Sequence, residues 1–219
     1  MRVKRISWES TARPRRGSGG FSLLEVLTVV AISALVISMM FSGLRVLTAK
    51  VRSAQCLSDL KQTGAALSLF AADNNGLLPE AYVPTSPWTW PYILQKGGYF
   101  PSKWGASPLE VPSCRVNPRY RATYTYGIND FLTERTYKIF DARKPSQTLL
   151  VADSLCEAGP SNAYRVGESD AYGKLAFLHG GSVNVLYWDG HAAGIKEVPA
   201  APSRSENIFW NPLADDAAD

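Results

Sequence analysis

A run of 24 residues from Phe21 to Leu44 contains one ionisable side chain, Glu25, and no other charge. At 1.5 Å per residue, a helix of this length reaches ~36 Å, which exceeds the ~30 Å hydrocarbon core of a bilayer. The run therefore predicts a membrane-spanning helix. An ionisable group costs ~2.5–3.5 kcal/mol at the centre of such a helix and less near its end, so Glu25 requires an explanation.

The segment in front of this run, residues 1–20, is strongly basic. It contains one acidic residue, Glu9, against six basic ones: Arg2, Lys4, Arg5, Arg13, Arg15 and Arg16. Positive charge beside a membrane span stays on the cytoplasmic side. We therefore expect a single-pass protein with its N-terminus inside and its C-terminus outside.

The basic character of the chain belongs to this leader. Without residues 1–20, the 23 basic residues fall to 17 and the 19 acidic residues to 18, a formal charge of −1. A nucleic-acid-binding domain normally has a basic surface of its own, so we expect no nucleic-acid partner. The chain beyond the span is ~150 residues or more, enough for one domain with a hydrophobic core.

The residues Gly20-Phe21-Ser22-Leu23-Leu24-Glu25 resemble the cleavage and methylation signature of type IV prepilins and type II secretion pseudopilins. The resemblance implies that a membrane prepilin peptidase cuts between Gly20 and Phe21 and methylates the new amine of Phe21. It implies further partners: other pilin-like subunits, an inner-membrane assembly platform and its ATPase. An ordinary secretory signal has an apolar region of only ~7–15 residues, and this run is too long for one.

The helix is predicted to continue beyond the membrane to Asp73. No proline occurs between Pro14 and Pro79, and Gly76 provides a stop signal. Apolar or small residues recur at spacings of three and four, which is typical of a helix with one buried face: Leu47, Val51, Ala54, Leu57, Leu60, Gly64, Leu67 and Phe70.

The remainder predicts an α+β fold, in which the long helix packs on a small antiparallel sheet. Asp189-Gly190 predicts a two-residue type I′ hairpin turn. The predicted strands are Ala122 to Ile128, Gln147 to Ala152, Lys174 to Leu178, Val183 to Trp188 and His191 to Ile195. The predicted organisation is a leader at 1–20, a membrane half-helix at 21–44, an outer half-helix at 45–75 and a domain at 76–219.

Two further segments resemble a subgroup of pilin-like proteins: Cys56 to Gln62, with the later Asp73-Asn74-Asn75-Gly76 turn, and the C-terminal "H-x9-DG" pattern of His179, Asp189 and Gly190. A metal held by His179, His191 and Asp189 is an alternative interpretation. A strand of six residues between them would separate the groups by ~20 Å, which one ion does not bridge. We expect a structural role, with His179 making a hydrogen bond that closes the fold and Asp189 serving the turn.

The three cysteines allow three single disulfide pairings in an oxidising compartment, and three reduced, partly buried thiols remain the alternative. The resemblance implies a disulfide between Cys56 and Cys114, with Cys156 left over. Calcium is a possible ligand through a late acidic loop (Asp153, Glu168, Asp170 and Asp189), but no calcium-loop spacing is present, so no cofactor or metal is expected. Nothing in the sequence predicts catalytic residues, and we expect no enzyme.

The segment 77–118 is rich in proline and aromatic residues: Tyr82, Trp88, Trp90, Pro91, Tyr92, Tyr99, Phe100 and Trp104. Large side chains in such a loop usually attach it to a core. The alternative is a platform that stacks on sugars or cations. The sequence thus predicts a structural pilin-like subunit, and the alternative is a membrane-tethered protein that binds a ligand such as a glycan.

Overall fold

The structure is a computed structural model. It describes residues 20–82, 89–100, 112–117, 124–133, 136–156, 164–167, 173–199 and 205–214, apart from the side chains of 40–46 and 133. The chain divides into two compact units, Met1–Val46 and Leu47–Asp219. The predicted leader, except for Gly20, lies outside the described residues.

The longest element is helix α1, Leu23–Asp73, which contains 51 residues. It ends where the sequence predicts, because Asn75 and Gly76 adopt positive φ angles of 56° and 83°. The backbone N–H of Gly76 donates to the carbonyl of Ala71 at 2.7 Å, which satisfies one of the last free carbonyl groups of the helix. The predicted helix from about Phe21 to Asp73 is confirmed.

The first turn of α1 contains a capping pattern that we did not predict. The backbone N–H of Glu25 donates to Ser22 Oγ at 3.2 Å. Ser22 is the N-cap and Glu25 is the third helical residue, which is the Ser-x-x-Glu arrangement of a capping box. The start of α1 is therefore specified locally, directly after Phe21.

The apolar side chains described in the first unit, at positions 21–39, are exposed, among them Phe21 at 82%, Leu23 at 84% and Leu27 at 64%. Within the part of the chain that the structure describes, no helix combines the length and the apolarity needed to cross a bilayer. The membrane span predicted at 21–44 thus stays a prediction.

The second half of α1 buries one face in the Leu47–Asp219 unit. Leu60 and Leu67 are fully buried, whereas Leu47 and Val51 are 58% and 48% exposed. The predicted stripe is therefore correct from Leu57 onward and wrong at its first three positions, where Ala54 is also exposed.

The described residues form a sheet of six strands, numbered β1 to β6 along the chain, in the order β3-β1-β2-β5-β6, with β4 paired to β2. The strands are β1 (Tyr126–Asn129), β2 (Leu149–Leu155), β3 (Arg165–Val166), β4 (Lys174–Leu175), β5 (Val183–Tyr187) and β6 (Ala192–Ile195). Four pairs are antiparallel, as predicted. The pair β1 and β3 is parallel, which we did not predict, because β3 has two residues and no readable periodicity.

Helix α1 packs on this sheet within the second unit. Leu60 and Leu67 share a buried cluster with Ile128 of β1, Val151 of β2 and Leu186 of β5. A Cβ atom placed on Gly64 would lie 3.0 Å from Leu186 Cδ1, so glycine permits a close approach of helix and strand. The α+β class is confirmed, with a mixed sheet, and the arrangement is consistent with a pilin-like fold.

The turn after β5 differs from our prediction. At Asp189-Gly190 only the glycine has positive φ, 87°, and Gly190 N–H donates to Tyr187 O. The hairpin loop therefore has three residues, and the predicted type I′ turn is wrong here. The two positive φ angles that a type I′ turn requires occur instead at Gly180 (66°) and Gly181 (82°), just before β5.

The aromatic segment is attached to the core through helix α2, Trp90–Lys96. Trp90 is 1% exposed and Phe100 is 8% exposed. The indole N–H of Trp90 donates to the carbonyl of Tyr164 at 2.7 Å. This result favours the packing interpretation of these residues, while Trp88 and Trp104 lie outside the described residues.

A second buried cluster attaches the C-terminal segment to the sheet. Phe209 and Trp210 are 2% and 3% exposed. Leu149 N–H donates to Phe209 O at 2.8 Å, and the Asn129 side-chain amide donates to Trp210 O at 2.7 Å. Phe209 and Trp210 thus hold the C-terminal segment against the sheet.

Candidate functional site

The predicted cleavage site lies in an open position at the start of the described chain. Gly20 and Phe21 precede α1 and are not helical. Phe21 is 82% exposed, and no atom lies within 4 Å of a Cβ built on Gly20. The peptide bond between these residues is accessible, and its cleavage would place a new amine four residues before Glu25.

Glu25 is exposed in the first turn of α1. A carboxylate at this position interacts favourably with the positive end of the helix dipole, typically by ~0.3–1 kcal/mol at a surface. The residue therefore has a local role in starting the helix, besides any role in assembly.

A second group of polar side chains lies inside the Leu47–Asp219 unit, where four segments of the chain meet. Cys56 Sγ lies 2.8 Å from Cys114 Sγ, and Cys114 Sγ lies 3.4 Å from His179 Nε2. His179 Nε2 lies 2.9 Å from Asp153 Oδ2. We call these four residues, Cys56, Cys114, Asp153 and His179, the buried polar cluster.

The backbone positions each cysteine through a specific hydrogen bond. Cys56 lies on the buried face of α1, and its carbonyl accepts from Tyr126 Oη at 3.0 Å. Cys114 lies in the loop 112–117, and its backbone N–H donates to Thr125 Oγ1 at 2.6 Å. Both contacts tie the cysteines to residues at the start of β1.

Asp153 and His179 reach the cluster from the sheet. Asp153 lies on β2 and also accepts from the backbone N–H of Asn184 at 2.9 Å. His179 opens the Gly180-Gly181 turn, and its N–H donates to Ser182 O at 3.0 Å. The hydrogen bond expected of His179 is the one that its side chain makes with Asp153, and it joins this turn to β2.

The cluster is almost completely removed from solvent. The side chains of His179 and Asp153 are 3% and 0% exposed, and Cys56 and Cys114 are 1% and 0% exposed. Asp153 Oδ1 and His179 Nδ1 have no hydrogen-bond partner among the described residues. An unpaired polar atom in a protein interior costs ~1–3 kcal/mol. The four side chains of the cluster therefore do not satisfy all of their own hydrogen-bonding groups.

The short contacts shift the acidities of these groups. The hydrogen bond with Asp153 raises the pKa of His179, against the opposing effect of burial. The hydrogen bond with Cys114 lowers the pKa of Cys56 to about 7, and the pKa of Cys114 is raised by the same contact and by burial. One thiolate is therefore favoured in this pair, next to an imidazole and a carboxylate.

The metal set considered from the sequence is not assembled. His191 pairs with Asp189, whose Oδ1 also accepts the backbone N–H of His191 at 3.0 Å. The His191 ring stacks on Tyr187 at 4.3 Å between ring centroids, so its neighbour across the hairpin is Tyr187. His179 lies in the buried polar cluster, and the group that could hold a metal among the described residues is Cys56, Cys114 and His179.

The cysteine prediction is partly addressed. The structure brings Cys56 and Cys114 together and contains no disulfide bond between them. The disulfide stays a prediction. Cys156 is buried and does not join the cluster.

The calcium candidates do not form a site in the described chain. Asp153 is buried against His179, and Asp189 belongs to the hairpin loop. Glu168 and Asp170 lie outside the described residues.

One comparison with known families identifies the N-terminal segment. The family described as the prokaryotic N-terminal methylation motif matches residues 15–41. The match includes Gly20, Phe21 and Glu25, and it supports a type IV pilin-like or pseudopilin protein that is processed by a prepilin peptidase and assembles with other pilin subunits. It also indicates membrane anchoring through the N-terminus. No curated protein and no solved structure is significantly similar to the chain.

Proposed function

We propose that this chain is a structural pilin-like subunit, a pseudopilin or minor pilin, of a type II secretion or type IV pilus machine. The methylation motif at 15–41 is the observation that carries the proposal. The accessible bond between Gly20 and Phe21, directly before the capped start of α1, supports it. The precursor resides in the inner membrane with its N-terminus inside, and its domain faces the periplasm or, once assembled, the cell surface.

Assembly uses the apolar side chains at the start of α1. They are exposed in the single chain, and a large exposed apolar surface requires lipid or protein around it. Lipid covers them in the stored subunit, and the helices of neighbouring subunits replace the lipid in the fibre. An inner-membrane platform and its ATPase drive this transfer.

Glu25 acts in assembly by charge pairing. Cleavage creates a cationic amine at Phe21, and methylation preserves that charge. An amine of one subunit beside the Glu25 carboxylate of the next compensates part of the cost of burying both charges. If the leader remains attached, the Phe21 nitrogen is an uncharged amide, and Glu25 has no such partner.

The capping role of Glu25 gives the experiment its control. Glu25→Gln removes the charge but keeps a side chain that is accepted at this capping-box position, whereas Glu25→Ala removes both. We expect both variants to be processed normally and to be largely absent from fibres in the native host. Ser22→Ala removes the cap and keeps the charge, and it should still be incorporated.

Processing is measured in the same strains by the intact mass of the membrane-extracted chain. Gly20→Leu should accumulate as the uncut precursor, because the peptidase must accommodate the residue before the scissile bond. Normal fibre incorporation of Glu25→Gln would show that the carboxylate acts only in helix capping and would remove the pairing mechanism.

The tethered glycan-binding alternative has less support. Two of its aromatic residues, Trp90 and Phe100, are buried, while Tyr82 is 39% exposed. Cross-linking in membranes distinguishes the two functions, because only a fibre subunit forms stacked oligomers that depend on Glu25.

A further inference from the structure

We propose that the buried polar cluster is a site for a divalent transition-metal ion of the zinc class, held by Cys56 Sγ, Cys114 Sγ, His179 Nε2 and Asp153 Oδ2. The inference concerns the domain alone and does not depend on the proposed function. It departs from the sequence-based expectation of no cofactor.

The first argument is convergence. The two sulfur atoms and the imidazole nitrogen lie within 4.8 Å of one another. Asp153 Oδ2 lies 2.9 Å from the same nitrogen. In a tetrahedral zinc site with ligand distances of ~2.0–2.3 Å, the donor atoms are ~3.3–3.8 Å apart. Three donors are therefore in reach of one ion. To reach the four-donor arrangement, the sulfur atoms, now 2.8 Å apart, separate by about 1 Å, and Asp153 exchanges its hydrogen bond with His179 Nε2 for the ion.

The second argument is the balance of charge. Asp153 is completely buried, and it shares the imidazole of His179 as a cationic partner with the thiols, of which Cys114 Sγ lies 3.4 Å from the ring. Buried carboxylates and thiolates are stable when they are paired with a cation or coordinate a metal. A divalent ion between the two sulfur atoms and Asp153 supplies that positive charge at the place where the donor atoms point.

The donor set selects the class of ion. Two thiolates, one imidazole and one carboxylate suit zinc and similar borderline-soft ions, whereas calcium and magnesium require oxygen ligands. Four protein donors fill a tetrahedral shell and leave no open position, which is typical of a structural site. The ion would join α1, the 112–117 loop, β2 and the turn before β5.

The rival arrangement is a disulfide between Cys56 and Cys114. It would use the two sulfur atoms and leave the imidazole, 3.4 Å from Cys114 Sγ, paired with Asp153. The two arrangements exclude each other, because a metal ligand must be a free thiolate and a disulfide has none. The state of the thiols therefore decides between them.

The test starts with the full chain in its own membranes. Thiols are blocked in situ with an alkylating reagent before extraction, and peptide masses then report each cysteine. We expect Cys56 and Cys114 to be shielded from the reagent until a zinc chelator is added, and alkylated afterwards without any reductant. A disulfide-linked peptide pair of Cys56 and Cys114 in the untreated membranes would overturn the proposal.

Metal binding is measured on the full chain purified in detergent without chelator. We expect about one zinc ion per chain by elemental analysis. After removal of zinc, Co²⁺ should bind with the thiolate-to-cobalt charge-transfer absorption of a sulfur-ligated site.

Cys114→Ser and His179→Gln should lose the bound ion, and the matched controls Cys156→Ser and His191→Gln should keep it. Free thiols that bind neither ion, or binding that survives Cys114→Ser, would also overturn the proposal. The wild-type alkylation and cobalt measurements remain decisive if a variant does not fold.

Discussion

Single residues at the ends of elements determine the local geometry in this molecule. Ser22 defines the first turn of α1 by accepting the N–H of Glu25. Gly180 and Gly181 bring His179 to the start of β5, and Gly190 completes the loop in which Asp189 meets His191. The residues of the H-x9-DG pattern thus lie at opposite ends of β5, in the turns that flank this strand.

Gly190→Ala should lower the free energy of unfolding by ~1–2 kcal/mol, because the left-handed backbone conformation is unfavourable for an L-residue by about that amount. Gly190 has a φ of 87°, and no atom lies within 4 Å of an added Cβ, so the effect isolates the backbone. The measurement is urea unfolding of the detergent-solubilised chain followed by tryptophan fluorescence.

The control for this prediction is Gly194→Ala on the adjacent strand β6. Its added Cβ would meet Asn184 Oδ1 at 3.5 Å, an ordinary contact, and its φ is not left-handed. It should be neutral or stabilise by ~0.5–1 kcal/mol, since alanine is better than glycine in a strand. Equal losses in both variants would contradict the assignment of strain to Gly190.

At the scale of elements, α1 performs two different tasks. Its beginning exposes apolar side chains, and its later turns bury Leu60 and Leu67 against the sheet. The same helix therefore presents an exposed apolar surface at its beginning and contributes to the core of the domain further on. The transition in burial occurs near Cys56, which is 1% exposed and belongs to the buried polar cluster.

Leu67→Ala should cost ~2–5 kcal/mol in unfolding free energy, because it removes a fully buried side chain from a core that collapses only partly around the cavity. Leu69→Ala is the matched control on the same turn, where the side chain is 58% exposed. It should change stability by no more than ~0.5 kcal/mol. A similar loss in both variants would show that the buried face of α1 is misassigned.

The periodicity of α1 was predictable because burial repeats along a continuous helix, and the spacing of Leu57, Leu60 and Leu67 records it. The exposed positions Leu47 and Val51 continue the same spacing, so periodicity alone does not show where the domain contact begins. Strand β3 was not predictable, because two residues carry no period. The turn at Asp189-Gly190 was placed correctly but assigned the wrong type, since the dipeptide favours positive φ without requiring it at both positions.

At the scale of the whole molecule, the parts that were predicted from sequence are those encoded in contiguous residues. The segment from Gly20 to Glu25 is one such part, and a family match at 15–41 supports it. The buried polar cluster combines Cys56, Cys114, Asp153 and His179, and only the tertiary fold brings them together. The resemblance pointed to Cys56, Cys114 and His179, but nothing in the sequence indicated that Asp153 joins them.

The processing of the chain tests the central claim most directly. N-terminal sequencing and intact mass of the chain from native membranes, together with the fibre fraction, should show a mature protein that begins with N-methylated Phe21 in both samples. A working chain that still begins at Met1, or that starts at any residue other than Phe21, would contradict the account of a processed pilin-like subunit.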